Sequence, residues 1–298
     1  MRLRLSTRVG RPGCAITLNY SYYLSSAIYN WIEASSAEYS AFLHDKGFSI
    51  EGTAKRFKHF CFSRLEVPKR RIWHEQLHVF SPLVTWYISM PVEQSLQHLV
   101  AGMFEKREFY IEREENKFTV EQVETMPEPK WKKWMKFRLV SPLTVSTTHE
   151  RNGRVLPEYL LANDERLSDL LRQNILNKYR SLYGAEPKAP SDSESSVMKD
   201  ARLPVGQAFT CLLDQKFIAD HGGPKKISNL ITIKEGRTDQ TKVRAFMCPI
   251  VLKGNPELIK LAYESGLGEK NSLGFGMLKV RTSTKAIFSR TRTERRFL

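Results

Sequence analysis

The sequence predicts an α+β protein made of two tandem β-α-β-β-α-β units, and three observations predict it. Hydrophobic patterning switches between the strand period and the helix period in the same order in both halves of the chain. Met126-Pro127-Glu128-Pro129 sets paired prolines between those halves, where they disfavour regular structure and mark a hinge. With 41% hydrophobic residues over 298 positions, there is enough apolar material to bury a core in each unit. The resulting division is 1–129, 130–282 and a basic tail over 283–298.

Met1-Arg2-Leu3-Arg4-Leu5 opens a strand over 2–9. A helix over 21–34 follows, whose Leu24, Ile28, Trp31 and Ile32 form one apolar stripe from which Tyr29 falls away. Ser35-Ser36-Ala37-Glu38 is a capping-box pattern and announces a second helix over 36–46, which stops at Gly47. Its stripe is Tyr39, Phe42 and Leu43, so His44 points away from the core. In the last turn the negative end of the helix dipole favours an imidazolium there. Strands near 56–65 and 71–89, a helix over 91–104 and a strand pair near 107–125 complete the first unit. The second unit reads as a strand over 134–147, a long helix over 158–183, strands over 207–217, 227–234 and 242–252, a helix over 255–265 and a strand over 274–282. Residues 184–204, rich in Ser, Pro, Ala and Asp, read as a long loop inside this unit, because strands must still follow to complete it.

The chain carries 47 Lys+Arg against 32 Asp+Glu, a formal charge of +15, which points to nucleic acid or another acidic surface as partner. Residues 279–298 hold Lys279, Arg281, Lys285, Arg290, Arg292, Arg295 and Arg296 against Glu294, and read equally as a solubilising end or an RNA contact. Trp131-Lys132-Lys133-Trp134-Met135-Lys136-Phe137-Arg138 interleaves bases with aromatics, a composition suited to phosphate contact and base stacking, although the tryptophans themselves are assigned to the core. Arg4, Arg8 and Arg11 interrupt any secretory signal, and the uncharged stretch from Pro12 to Ile32 is too polar to cross a membrane. Cys14, Cys61, Cys211 and Cys248 show no CxxC spacing and read as isolated thiols in a reducing cytoplasm.

The densest local signal is Gly266-Leu267-Gly268-Glu269-Lys270-Asn271-Ser272-Leu273-Gly274-Phe275-Gly276, which leads into the apolar run Met277 to Val280. Such a loop lets backbone N–H groups approach an anion. It runs from a helix to a strand, the reverse of both common nucleotide loops, and Asn271 stands where a GxGxxG pattern needs its last glycine. Both features argue against a dinucleotide site and a P-loop.

The segment from Gly266 to Val280 resembles the C-terminal glycine-rich signature of the CRISPR-associated endoribonucleases that process precursor repeat RNA, within the RAMP superfamily. Leu18-Asn19-Tyr20-Ser21-Tyr22-Tyr23-Leu24 with Ala27-Ile28-Tyr29 resembles the family's entry into its first helix, so the likeness spans both ends of the chain. It implies two tandem ferredoxin-like (RRM-like) domains and a C-terminal glycine-rich loop. It also implies a cytoplasmic endoribonuclease without metal or other cofactor, with CRISPR repeat RNA as substrate and with effector-complex subunits or a second copy of the chain as further partners.

By the same resemblance, the catalytic residues are Tyr29, His44 and Lys58: a general base or positioner, a general acid or base, and a cation for the transition state. The reaction implied is attack by the RNA 2′-hydroxyl, giving a 2′,3′-cyclic phosphate and a 5′-hydroxyl. Lys58 heads Lys58-His59-Phe60-Cys61-Phe62-Ser63, which resembles the family's lysine-headed aromatic strand. The stretch from Asp45 to Phe57 is long, which leaves Lys55 and Arg56 as alternatives to Lys58, and His59 as an alternative to His44. Gly266, Gly268, Lys270, Asn271, Ser272, Gly274, Phe275 and Gly276 are the expected RNA contacts, with two plainer readings beside them: Phe275 packed beneath the loop, and glycines serving a tight helix–strand connection. The remaining alternatives are an RNA-binding member that does not turn over, and a zinc peptidase through His74-Glu75-Gln76-Leu77-His78. The latter fits HExxH, but Ile72, Trp73, Val79 and Phe80 favour a strand over the helix a zinc site needs, and Val84 occupies the position of a third ligand.

Overall fold

The computed structural model describes residues 1–151, 153–188 and 207–281. The first unit holds β1 (Arg2–Val9), β2 (Cys14–Thr17), α1 (Ser21–Ser35), α2 (Ala37–Ala41), β3 (Phe48–Ser49), β4 (Arg56–Phe57), β5 (Cys61–Phe62), β6 (Arg70–Trp73), β7 (Gln76–Val79), β8 (Leu83–Ser89), α3 (Glu93–Glu105), β9 (Glu108–Ile111) and β10 (Arg113–Thr125). The second holds β11 (Trp134–Leu139), β12 (Ser146–Arg151), β13 (Arg154–Tyr159), α4 (Leu167–Tyr183), β14 (Phe209–Leu213), α5 (Gln215–Asp220), β15 (Ser228–Ile233), β16 (Thr241–Phe246), β17 (Pro249–Gly254), α6 (Pro256–Ser265) and β18 (Leu278–Val280).

Strand order shows the repeat directly. The sheets run β5-β8-β1-β10-β9 and β14-β17-β11-β18. With β1-α1-β5-β8-α3-β10 and β11-α4-β14-β17-α6-β18 as the two β-α-β-β-α-β cores, both have spatial order 2-3-1-4, the ferredoxin-like arrangement. Two small sheets are added to each core: β2-β7-β6 and β3-β4 in the first unit, and the hairpins β12-β13 and β15-β16 in the second.

Each sheet buries one face under its helices. Along β1, Leu3, Leu5, Thr7 and Val9 are buried while Arg8 is exposed, the period-two alternation of a half-covered sheet. The α1 stripe holds as read: Leu24, Ile28, Trp31 and Ile32 are each at most 1% exposed. In the second unit Leu171 and Ile175 of α4 and Leu258 and Ile259 of α6 meet Phe137, Ile250 and Leu252 from the sheet. The units meet through polar contacts as well. The Arg2 guanidinium, 5% exposed, donates to the carbonyls of Leu278 and Tyr263 at 2.6 and 2.7 Å and lies over the Tyr263 ring. Arg64 N–H donates to the Val140 carbonyl, and Val140 N–H to that of Met277.

Several expected elements are subdivided. The helix over 36–46 ends as α-helix at Ala41 and continues as a π turn, Phe42–Lys46. The helix over 158–183 begins only at Leu167, because residues 154–159 pair in β13. The strand over 71–89 is a hairpin plus β8, and the strand over 207–217 gives way to α5, capped by the Asp214 carboxylate on Phe217 N–H. Trp134 leaves the core position given to it: it stands on the open face of β11 with 56% exposure, whereas Trp131 packs its ring edge on Tyr263. The HExxH segment is not helical. His74 and Glu75, both with positive φ, form the tight turn between β6 and β7, so His74 and His78 do not share a helix face. Among the described residues no group of three or more His, Cys, Asp or Glu is placed to hold a metal ion. No helix among them is long and apolar enough to cross a membrane. All four cysteines are buried free thiols. The basic tail over 283–298, and residues 189–204 of the long loop expected over 184–204, lie outside the described residues.

Candidate active site

Tyr29, His44 and Lys58 come from three separate segments and converge. Tyr29 lies in the second half of α1, off the most buried stripe yet half-buried, its ring edge against Phe60 at 5.6 Å and against His44 at 5.3 Å. His44 is carried by the π turn, a helical irregularity that swings the imidazole out of register with Leu43, which is fully buried. Lys58 follows the short β3–β4 pairing and donates from Nζ to the His44 carbonyl. Gly47 permits this approach: its φ is +60°, and a Cβ there would stand 2.7 Å from the Phe57 carbonyl and 3.4 Å from Lys58 Nζ.

The electrostatics differ from residue to residue. His44 Nδ1 shares a 2.8 Å hydrogen bond with Asp45 Oδ1, and both side chains are some 70% exposed. This bond holds the Asp45 carboxyl below its ordinary range and engages one ring nitrogen, Nδ1, of the exposed imidazole. Burial pushes the Tyr29 phenol well above its ordinary value, with a hydrogen bond from Ser272 acting the other way, so the hydroxyl stays protonated at neutral pH. Burial also lowers the Lys58 ammonium, with Asp45 opposing and Arg56 adding to the shift.

The alternatives are sorted by position. Arg56 reaches the same turn, donating to the Asp45 carbonyl at 3.1 Å, while Lys55 is exposed on the strand approach. His59 is 4% exposed, with positive φ; its ring nitrogens bond Ser181 Oγ at 2.8 Å and Ser265 Oγ at 3.2 Å. Burial, then Lys178, pulls its pKa down to about 3, so it is a neutral joint between the units rather than a second proton carrier.

The glycine loop closes the site from the second unit, and most of it faces inward. Gly266, Gly268, Asn271, Gly274, Phe275 and Gly276 are buried, and Lys270 and Ser272 are partly exposed. The N–H groups of Leu267, Glu269, Gly274 and Gly276 donate to Gly276, Thr144, Asn271 and Pro142 carbonyls, so these donors are already used within the protein. Phe275 packs with Ile233, Val243 and Ala245 beneath the β15–β16 hairpin, the plainer of its two readings. At Gly276, φ is +71° and a Cβ would fall 1.9 Å from the Leu267 carbonyl, which no side chain tolerates.

What holds the loop is a residue the sequence reading missed. Lys178, 3% exposed, donates from Nζ to the carbonyls of Gly266 and Gly268 at 2.7 and 3.0 Å and to Asn271 Oδ1 at 2.7 Å. The Asn271 amide in turn donates to the carbonyls of Leu267 and Phe275, both at 3.0 Å. The turn so fixed presents Ser272 to Tyr29 and lets Ser25 Oγ donate to the Ser272 carbonyl at 2.7 Å. A signal existed: Leu171, Ile175, Lys178 and Leu182 follow helical spacing, which puts a lysine on the apolar stripe of α4.

Comparison with known proteins agrees over residues 15–280. The family model for CRISPR associated protein Cas6, C-terminal, matches residues 124–280, and that for CRISPR-associated protein Cas6, N-terminal, matches residues 15–124. A protein of Methanocaldococcus jannaschii named CRISPR-associated endoribonuclease Cas6 1 is 27% identical over 263 residues, covering 88% of this chain and 86% of its own. Among solved structures, that of a Cas6-related gene from Pyrococcus furiosus superposes with a TM-score of 0.74 at 22% identity, covering 95% of this chain and 99% of its own. Another, described as a RAMP protein binding different RNA substrates, gives 0.73 at 21% identity over 95% of this chain and 100% of its own. At these identities the two structures speak to the fold, which is shared over almost the full length.

Proposed function

This chain belongs to the Cas6 family of CRISPR-associated proteins, and from that premise we propose that it is an endoribonuclease that cuts precursor CRISPR RNA within its repeats. The observation that carries the mechanism is the convergence of Tyr29, His44 and Lys58 at one exposed edge. RNA brings its own nucleophile, the 2′-hydroxyl, so three such groups suffice: one to position the attack, one to protonate the leaving 5′-oxygen, and one cation to stabilise the phosphorane.

His44 is the proton-transfer residue, since its imidazole is the most exposed of the three groups and can both accept and donate a proton. Tyr29 acts as positioner rather than base, because burial keeps its phenol protonated and able to donate. Lys58, tied to the His44 carbonyl, brings positive charge to the same spot. The products are a 2′,3′-cyclic phosphate and a 5′-hydroxyl. Lys270 and Ser272, the partly exposed residues of the glycine loop, are placed to meet the RNA backbone near the scissile phosphate, while the buried glycines shape the turn that presents them.

The test is incubation of the protein with its own repeat RNA in excess EDTA, beside an RNA carrying a 2′-deoxy substitution at the mapped cut. A single cut that survives EDTA and vanishes with the 2′-deoxy RNA is expected, with a cyclic phosphate on the upstream product. Tight binding without any cut would instead support a member that binds RNA and does not turn over.

A further inference from the structure

The HExxH segment, released from the zinc reading, lies in an aromatic and basic face that the cleavage site does not use. In the β2-β7-β6 sheet the register pairs Ala15 with His78, Arg71 with His78, and Trp73 with Gln76. Leu77 and Val79 alternate with these residues and are buried beneath. The opposite face therefore presents Arg71, Trp73, Gln76 and His78, continued by Phe80. Trp73 and Phe80 are 55% and 48% exposed, an unusual investment of large rings in water.

The rings form a line: Trp73 to His78 at 5.9 Å, then His78 to Phe80 at 6.4 Å with planes only 18° apart. The Arg71 guanidinium stands 6.0 Å from the Trp73 ring. Residues 69–80 hold Lys69, Arg70 and Arg71 against one acid, Glu75. The β6–β7 turn at His74 and Glu75 has positive φ at both positions, the rigid two-residue form, so the rings are held and not free to collapse.

We propose that this face is a stacking surface for a single-stranded segment of RNA lying outside the scissile phosphate. The chemistry selects that partner. A line of flat rings with flanking cations matches bases and phosphates, and among the residues that the register puts on this face Ala15 alone is aliphatic, too little for a protein or lipid partner. Stacking on flat rings accepts any base, so this surface reads single-stranded character more than sequence. β2 runs through a short connection into α1, and Tyr29 stands eight residues beyond Ser21, about 12 Å along the helix axis, so one strand of RNA can reach both places.

The proposal rests on the RNA reading above, and its test separates the two. Binding of the full-length repeat RNA and of a short RNA covering only the cut site is measured for wild type, Trp73→Ala and Trp73→Phe, with thermal melts as control. Trp73→Ala is expected to weaken the full-length RNA roughly tenfold, to leave the short RNA and the saturated cleavage rate unchanged, and to be rescued by Trp73→Phe. Arg71→Ala should reduce the salt slope of binding by about one. Equal affinity of wild type and Trp73→Ala for the full-length RNA overturns the stacking surface, as does a loss of affinity that Phe does not restore. If wild type binds no repeat RNA, it is the functional reading of the whole chain that falls.

Discussion

The edge that carries His44 and the joint that carries His59 are close in the chain, yet water treats them oppositely. At the edge, His44 and Asp45 keep 70% and 72% of their side chains exposed, and among the described residues the ring hydrogen-bonds its sequence neighbour alone. At the joint, His59 and Lys178 are 4% and 3% exposed, and every hydrogen bond of their heads runs between the units or into the glycine loop. The difference teaches how this fold divides labour. On the proposed mechanism the group that trades protons with RNA stays where RNA can reach it, while His59 and Lys178, which fix geometry, are buried and hydrogen-bonded where a low dielectric stiffens each bond.

The largest expected effect strikes the edge alone. His44→Ala should slow cleavage by about 10²–10⁴-fold at saturating RNA, with the affinity and the melting temperature held at wild-type values. Single-turnover assays beside a thermal melt measure both, and a wild-type rate would remove His44 from the chemistry. The converse change strikes the joint. Gly276→Ala forces a left-handed residue and a Cβ into the Leu267 carbonyl, and should lower stability by about 3 kcal/mol or more, with RNA affinity and cleavage falling together as the loop is lost. A urea midpoint equal to wild type would show that the loop is not the support described here.

The smallest effect is a pH dependence of stability that the joint imposes. The folded pKa of His59, about 3, lies below its ordinary 6.5, so between those values the unfolded chain binds a proton that the folded chain refuses. Stability is therefore lost as pH falls through that window, by about 2 kcal/mol at pH 5 relative to pH 7. Lys178 follows the same sign in a higher window. Burial lowers it to about 7, so its contribution to stability rises as pH increases from there toward its ordinary value. Denaturant melts at pH 5 and pH 7 check the first window; His59→Gln should flatten the curve, and an unchanged slope in that variant would locate the titration elsewhere.

Much of the architecture was legible because it is written in local periods. The α1 stripe, the Ser36 cap, which accepts from Tyr39 N–H, and the glycine end of α6 all follow from residues within one or two turns of each other. The site was legible only in part. Family likeness named Tyr29, His44 and Lys58, but the pattern placed His44 on a regular helix, whereas the structure carries it on a π turn tied to Lys58. The glycine loop was expected to offer its amides outward, whereas those of Leu267, Glu269, Leu273, Gly274 and Gly276 donate to carbonyls of the protein itself.

By itself, the sequence determined the two repeated units, the polyanion partner that a charge of +15 implies, and the glycine content that lets one turn pack closely. Tertiary structure alone decided which of two nearby histidines is wet, that HExxH becomes a hairpin, and that a lysine from the middle of α4 ends against carbonyls nearly ninety residues on. The physical reason is range. Periodicity and capping act within a few residues, whereas burial, the partner of a buried charge and the direction of a backbone amide are set by segments that meet only once both sheets have folded.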